Sequence, residues 1–116
     1  MPVEKSLHAY RKTQSNCAQS VLCGFQDRLD IPEAEIEAAR GLGHGRAPEG
    51  RCGALHVALQ LSGNAETQEQ LRSAFNEKAG SQYCREIRAR RQLTCDACIE
   101  LAASILVNDA KTENNG

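Results

Sequence analysis

Cys52-Gly53-Ala54-Leu55-His56-Val57-Ala58-Leu59-Gln60-Leu61, closed by Ser62-Gly63, is the stretch that decides the fold. Its small residues and near-continuous hydrophobicity suit a helix buried on most sides, and Ser62-Gly63 supplies the stop. A helix of that kind needs neighbours around it, so it is expected at the centre of the domain. Immediately upstream, Gly41-Leu42-Gly43-His44-Gly45-Arg46-Ala47-Pro48-Glu49-Gly50 packs four glycines and a proline into ten residues. No helix or strand interior would choose that composition, so a mobile loop is expected to lead into the central helix.

Working outward, helical periodicity and capping residues recur, while the strict alternation of a half-buried strand does not. Val3 to Lys12 has Val3, Leu7 and Tyr10 on one face. Ser15 or Asn16 can cap a second helix, on which Cys17, Val21 and Phe25 form a stripe flanked by Ala18, Leu22 and Leu29. Asp30-Ile31-Pro32 ends it and opens a third helix, running to about Arg40, whose Glu33, Glu35 and Glu37 suit the positive end of the helix dipole. Asn64 or Thr67 can cap a helix with Leu71, Ala74 and Phe75 that ends at Gly80, and Ser81 can open a short helix through Cys84 and Ile87. Thr94 can cap the last, from Cys95 to about Val107, with Cys98, Leu101, Ala102, Ile105 and Leu106 facing inward. The expectation is an all-α bundle of five or six helices over residues 1–107, with 108–116 a disordered tail.

Charge and composition narrow the function. The 116 residues carry 14 Lys plus Arg against 15 Asp plus Glu, a net charge of -1, which gives no global field for nucleic acid or a membrane surface. With no Trp, two Tyr, two Phe and no apolar run near the roughly 20 residues of a membrane span, base-stacking and transmembrane roles are also disfavoured. The first residues lack the apolar core and cleavage site of a secretory signal, so a cytoplasmic location is expected. Phosphate-loop, dinucleotide and Gly-x-Ser-x-Gly motifs are missing, which leaves nucleotide and serine-hydrolase chemistry without support.

Six cysteines are then the main clue, because thiols in a reducing compartment are more often redox-active or metal-binding than structurally bridged. Cys17, Cys52, Cys84 and Cys95 each fall in the first turn of an expected helix, where unpaired N–H groups and the dipole favour the thiolate, the form that attacks disulfides and binds metal. Cys52, at the mouth of the glycine loop, is the first choice for the most activated of them. Helices that bury their stripes together are also expected to bring these four cysteine ends together in space. Cys95 and Cys98 form a Cys-x-x-Cys pair one turn apart, without the strand of a thioredoxin unit before it or the His of haem attachment after it. Cys23 lies off the face of Cys17 and reads as an ordinary thiol. His56, one turn after Cys52, is an accessory candidate; His44 and His8 carry no argument, and the run Arg85 to Arg91 reads as a solvated face, one member of which could sit near Cys84.

The pattern resembles the redox-active protein family named for its C-GCAxxG-C-C cysteines. Asn16-Cys17-Ala18-Gln19-Ser20-Val21-Leu22, the glycine loop entering Cys52-Gly53-Ala54, Cys84-Arg85-Glu86, and Cys95 with Ile99 and Ala102 carry the resemblance, which spans about Leu7 to Leu106. It implies a small helical redox protein with four functional cysteines, here Cys17, Cys52, Cys84 and Cys95. Val57 stands where that pattern has glycine, and Cys98 is an addition to the set. Three functions compete: reversible cysteine oxidation with a redox partner protein, an iron–sulfur or soft-metal site on the same cysteines, and a helical interaction module with inert thiols.

Overall fold

The computed structural model describes residues 2–13, 15–42, 50–90 and 93–107. Most of the glycine loop with His44, Arg91 of the basic run, and the tail from Asn108 lie outside the described residues. The described elements are helical: α1 (Pro2–Lys12), α2 (Cys17–Leu29), α3 (Glu33–Ala38) running into a 3₁₀ turn (Ala39–Leu42), α4 (Gly53–Leu61), α5 (Ala65–Ala74) running into a π turn (Phe75–Ala79), α6 (Cys84–Arg90) and α7 (Cys95–Val107). The all-α class therefore holds, with seven helices among the described residues rather than five or six. Each of the seven matches a helical segment marked in the sequence, the shortest being α3 of six residues after Pro32 and α6 of seven after Ser81.

The apolar stretch at the centre of the sequence is central in space. In α4, Gly53, Ala54, Leu55, Val57, Ala58 and Leu59 are all buried, and the helix packs against α2, α7 and α5. Phe25 and Val21 from α2, Leu71 from α5, Phe75 from the π turn, and Ile99 and Leu106 from α7 complete a core with almost no exposed surface. The inward face of α7 is Cys98, Ile99, Ala102, Ala103 and Leu106, whereas Leu101 and Ile105 are half-buried at its flank. The stripe expected there is rotated because α7 packs against α4 and α2 on one side and α1 on another, so its small alanines take the closest contact.

Asn16-Cys17-Ala18-Gln19 is, locally, a capping box. The Gln19 N–H donates to Asn16 Oδ1 at 2.8 Å, and the Asn16 N–H donates to Gln19 Oε1 at 3.1 Å. Both side chains also reach across to the α3 region. Asn16 Nδ2 donates to the carbonyls of Ala39 (3.3 Å) and Arg40 (2.9 Å), and Gln19 Nε2 donates to the Ile36 carbonyl at 3.1 Å. Helix three was expected to reach Arg40; its carbonyls are claimed by Asn16 instead, and the chain tightens into the 3₁₀ turn. Downstream, Asn64 Oδ1 accepts from the Thr67 N–H at 2.7 Å to cap α5, Thr94 Oγ1 accepts from the Ala97 N–H at 3.1 Å to cap α7, and Gly80, at φ +83°, ends the π turn in the left-handed region.

One extended contact joins the segments before α4 and α6. Arg51 and Tyr83 form an isolated antiparallel bridge, and the Cys52 N–H donates to the Gln82 carbonyl at 2.8 Å. Cys52 and Cys84 each follow a bridged residue and are thereby carried to the same end of the bundle.

Because Asn16 both caps α2 and ties α3 to it, Asn16→Ala is expected to destabilise the fold by about 2–3 kcal/mol, a cap plus one or two cross-helix hydrogen bonds. Urea denaturation checks this; a loss below about 0.5 kcal/mol, the size of an ordinary surface change, would show that the box is not structural.

Candidate functional site

Cys17, Cys84 and Cys95 are the first residues of α2, α6 and α7, and Cys52 is the residue from which α4 starts. These four helix starts meet at one pocket of about 370 Å³, lined by Cys17, Cys52, Cys84, Cys95 and, from the first turns of α7, Cys98. Tyr10, Ile87 and Leu93 give it apolar walls, and Arg88 and Thr94 stand at its edge. All six cysteines of the chain are free thiols. Within the pocket they divide by depth: Cys17, Cys84 and Cys95 are partly exposed, whereas Cys52 and Cys98 retain only 5% and 3% of their surface.

The inner cysteines are neighbours. Cys52 lines the pocket with Cys17 on one side and Cys98 on the other, and both act on its thiol. Gly53 explains how Cys17 approaches so closely, since a Cβ at that position would lie 2.8 Å from Cys17 Sγ and 2.8 Å from the Leu42 carbonyl oxygen. Only glycine allows α4 to start against the first turn of α2 and the end of the 3₁₀ turn.

Cys52 is not the activated thiol that its place in the sequence suggests. The Cys17 thiol, and more weakly the Leu55 N–H, pull its pKa down, but the neighbouring Cys98 and burial together push it up to about 12. The helix start is present as expected; the Cys98 neighbour and the removal of the sulfur from water together outweigh it. Cys84 is likewise raised by burial, and Arg88, one turn along α6, opposes the shift without cancelling it.

Tyr10 belongs to the site, although in the sequence it counted only as an apolar face residue of α1. Burial, the first cause, and a hydrogen bond to Cys95 push its pKa up to about 12, so its hydroxyl stays a donor to the Cys95 sulfur at neutral pH. An ion pair between Arg11 and Asp96 holds the end of α1 to the start of α7 beside this contact. No motif marks Tyr10; its only sequence signal is a lone aromatic on a helix followed by Arg11 and Lys12.

Two candidates fall outside the pocket. His56 does not line it; burial first, and then Arg51, lower the His56 pKa and keep the ring neutral. Cys23 sits on the opposite flank of α2 near Ser15 and Glu33, its thiol raised by burial, which fits its reading as an ordinary thiol. Among the described residues no three His, Cys, Asp or Glu side chains are placed to hold one metal ion. Nor is any described helix long and apolar enough to cross a membrane.

The family model described as "Putative redox-active protein (C_GCAxxG_C_C)" matches residues 15–108, a span that takes in all six cysteines and every helix except α1. The chain belongs to this family. No curated protein and no solved structure matches it. The two residues that the sequence reading set apart from the family pattern have clear places in the fold. Val57 is a fully buried core residue, and Cys98 is a fifth sulfur in the pocket, next to Cys52.

Two outcomes follow from these environments. At pH 8, Cys52 in the folded protein is expected to alkylate roughly 2000-fold more slowly than in the unfolded chain, the ratio of thiolate fractions between pKa values of about 12 and about 8.5. Peptide mapping after timed iodoacetamide treatment checks it; equal rates would mean that the sulfur is not sequestered. Stability should also fall as pH rises from about 8.5 to 12. Over that range unfolded Cys52 and then Tyr10 release protons that the folded state still holds, so the unfolded state binds fewer protons and is favoured. Tyr10→Phe should flatten the upper part of this fall, from about pH 10, in thermal melts across the range.

Proposed function

We propose that this protein is a thiol-based redox protein that exchanges two electrons with a partner disulfide, using the cysteines of the helix-start pocket. The placing of the partly exposed Cys17 and the buried Cys52 side by side in one pocket, with Cys17 Sγ packed against Gly53 next to Cys52, is the observation that carries the reading, because dithiol chemistry needs one thiol within reach of a partner and a second beside it.

In the first step Cys17 releases its proton to solvent and its sulfur attacks one sulfur of the partner disulfide. A mixed disulfide forms on Cys17, the partner's S–S bond breaks, and the released partner thiolate takes a proton from water. In the second step Cys52 gives up its proton and its sulfur attacks Cys17. The Cys17–Cys52 bond forms, the mixed bond breaks, and the second partner thiol leaves protonated. The two protein thiols have then lost two electrons and two protons, and the partner disulfide has gained both. Cys52 stays a thiol until its neighbour is engaged, so it does not compete for the first attack. Cys84 and Cys95, also partly exposed in the pocket, are further entry points, Cys95 with the Tyr10 hydroxyl as donor and Cys84 with Arg88 beside it.

Glutathione disulfide serves as the test oxidant. The wild-type protein should lose two thiols per chain reversibly, with dithiothreitol restoring both, and should not accumulate glutathione. Cys52→Ala should instead stall with glutathione held on Cys17, located there by peptide mapping and mass spectrometry. Absence of any intramolecular disulfide in the folded wild type would overturn the reading. A stoichiometric iron–sulfur chromophore after anaerobic purification would transfer the pocket to electron carriage by a cluster.

A further inference from the structure

Cys98 is outside the four-cysteine pattern, yet it is the most buried of the pocket cysteines and lines the same pocket as the buried Cys52. Its backbone is held in the first turns of α7, where its N–H donates to the Thr94 carbonyl at 2.9 Å, and α7 packs directly on α4, whose start carries Cys52. Cys52 thus has an outer neighbour, Cys17, and an inner one, Cys98. A disulfide sulfur with a thiol on its far side is open to a further exchange, provided that the thiol can reach it.

Resting on the dithiol reading above, we propose that Cys98 is a second resolving residue, which moves the disulfide inward from Cys17–Cys52 to Cys52–Cys98. In this step Cys98 gives up its proton and its sulfur attacks Cys52. The Cys52–Cys98 bond forms, the Cys17–Cys52 bond breaks, and Cys17 leaves as a thiolate that takes up the proton. No net oxidation occurs, so no further oxidant is needed. The outcome is an oxidised pair in which both sulfurs are almost free of solvent, and a Cys17 thiol returned to the partly exposed rim for another encounter. Two consequences follow: the oxidised form is shielded from direct attack by external thiols, and reduction must retrace the route through Cys17.

The test follows disulfide connectivity in the full chain after one equivalent of glutathione disulfide, by acid quench, alkylation and peptide mapping over time. In the wild type the Cys17–Cys52 link should appear first and decline as Cys52–Cys98 rises, with Cys17 again alkylated. In Cys98→Ala the Cys17–Cys52 link should persist, and the oxidised variant should be reduced by external thiol at least about 10-fold faster than the oxidised wild type, for want of a shielded bond. Far-ultraviolet circular dichroism confirms that the variant is folded, and the wild-type time course stands without it. A wild-type end product of Cys17–Cys52 or of Cys95–Cys98 would overturn the relay and leave the dithiol reading intact. Failure to form any disulfide among the pocket cysteines would overturn both.

Discussion

Everything in the pocket depends on how closely the starts of α2 and α4 approach each other. At Gly53 a single added carbon would meet both Cys17 Sγ and the Leu42 carbonyl, so backbone, thiol and 3₁₀ turn share a space that only a hydrogen atom can fill. The capping box at Asn16 is what brings the third of these partners in. By taking the Ala39 and Arg40 carbonyls, Asn16 draws the 3₁₀ turn against the start of α2, and Leu42 follows. The same asparagine sets the register of Cys17 at the first position of its helix. Cap, glycine and thiol therefore form one structural unit, and loosening any of them separates the Cys17 and Cys52 sulfurs.

The electrostatics of the pocket are a contest between helix ends and burial. Helix starts supply N–H groups and the positive end of a dipole, worth roughly 0.3–1 kcal/mol at an exposed surface. Burial of a thiolate among other thiols and aliphatic side chains costs more than that, and at Cys52 and Cys84 it prevails. The pocket is consequently graded from a partly exposed rim of Cys17, Cys84 and Cys95 to a buried floor of Cys52 and Cys98. Tyr10 and Arg88 act at the rim, one as a hydroxyl donor to Cys95 and the other as a cation beside Cys84. On the function proposed above, such a gradient would separate the thiol that meets a partner from those that receive the oxidation afterward.

Much of this was legible in the chain. The stretch from Cys52 to Leu61 shows its burial through near-continuous hydrophobicity, and Asn16, Asn64, Thr94 and Gly80 mark helix ends with local chemistry that needs no distant partner. Cysteine positions at expected helix starts marked Cys17, Cys52, Cys84 and Cys95, and the Asn-Cys-Ala-Gln and Cys-Gly-Ala segments carried the family resemblance. Other features were not legible. Tyr10 is separated from Cys95 by most of the chain, and the bridge between Arg51 and Tyr83 involves segments with no strand pattern. The rotation of the buried stripe on α7 likewise answers to helices on two sides of it.

The sequence by itself determined which residues start helices, which faces are apolar and which thiols have a helix end behind them, because caps, turns and periodicity act over a few neighbouring residues. Tertiary structure alone decided which sulfurs touch, which are dry and which hold their protons. Those properties depend on desolvation and on contacts between segments tens of residues apart. Cys52 shows the division most sharply: its local position argues for a thiolate, and the packing of α2 and α7 around it leaves a thiol.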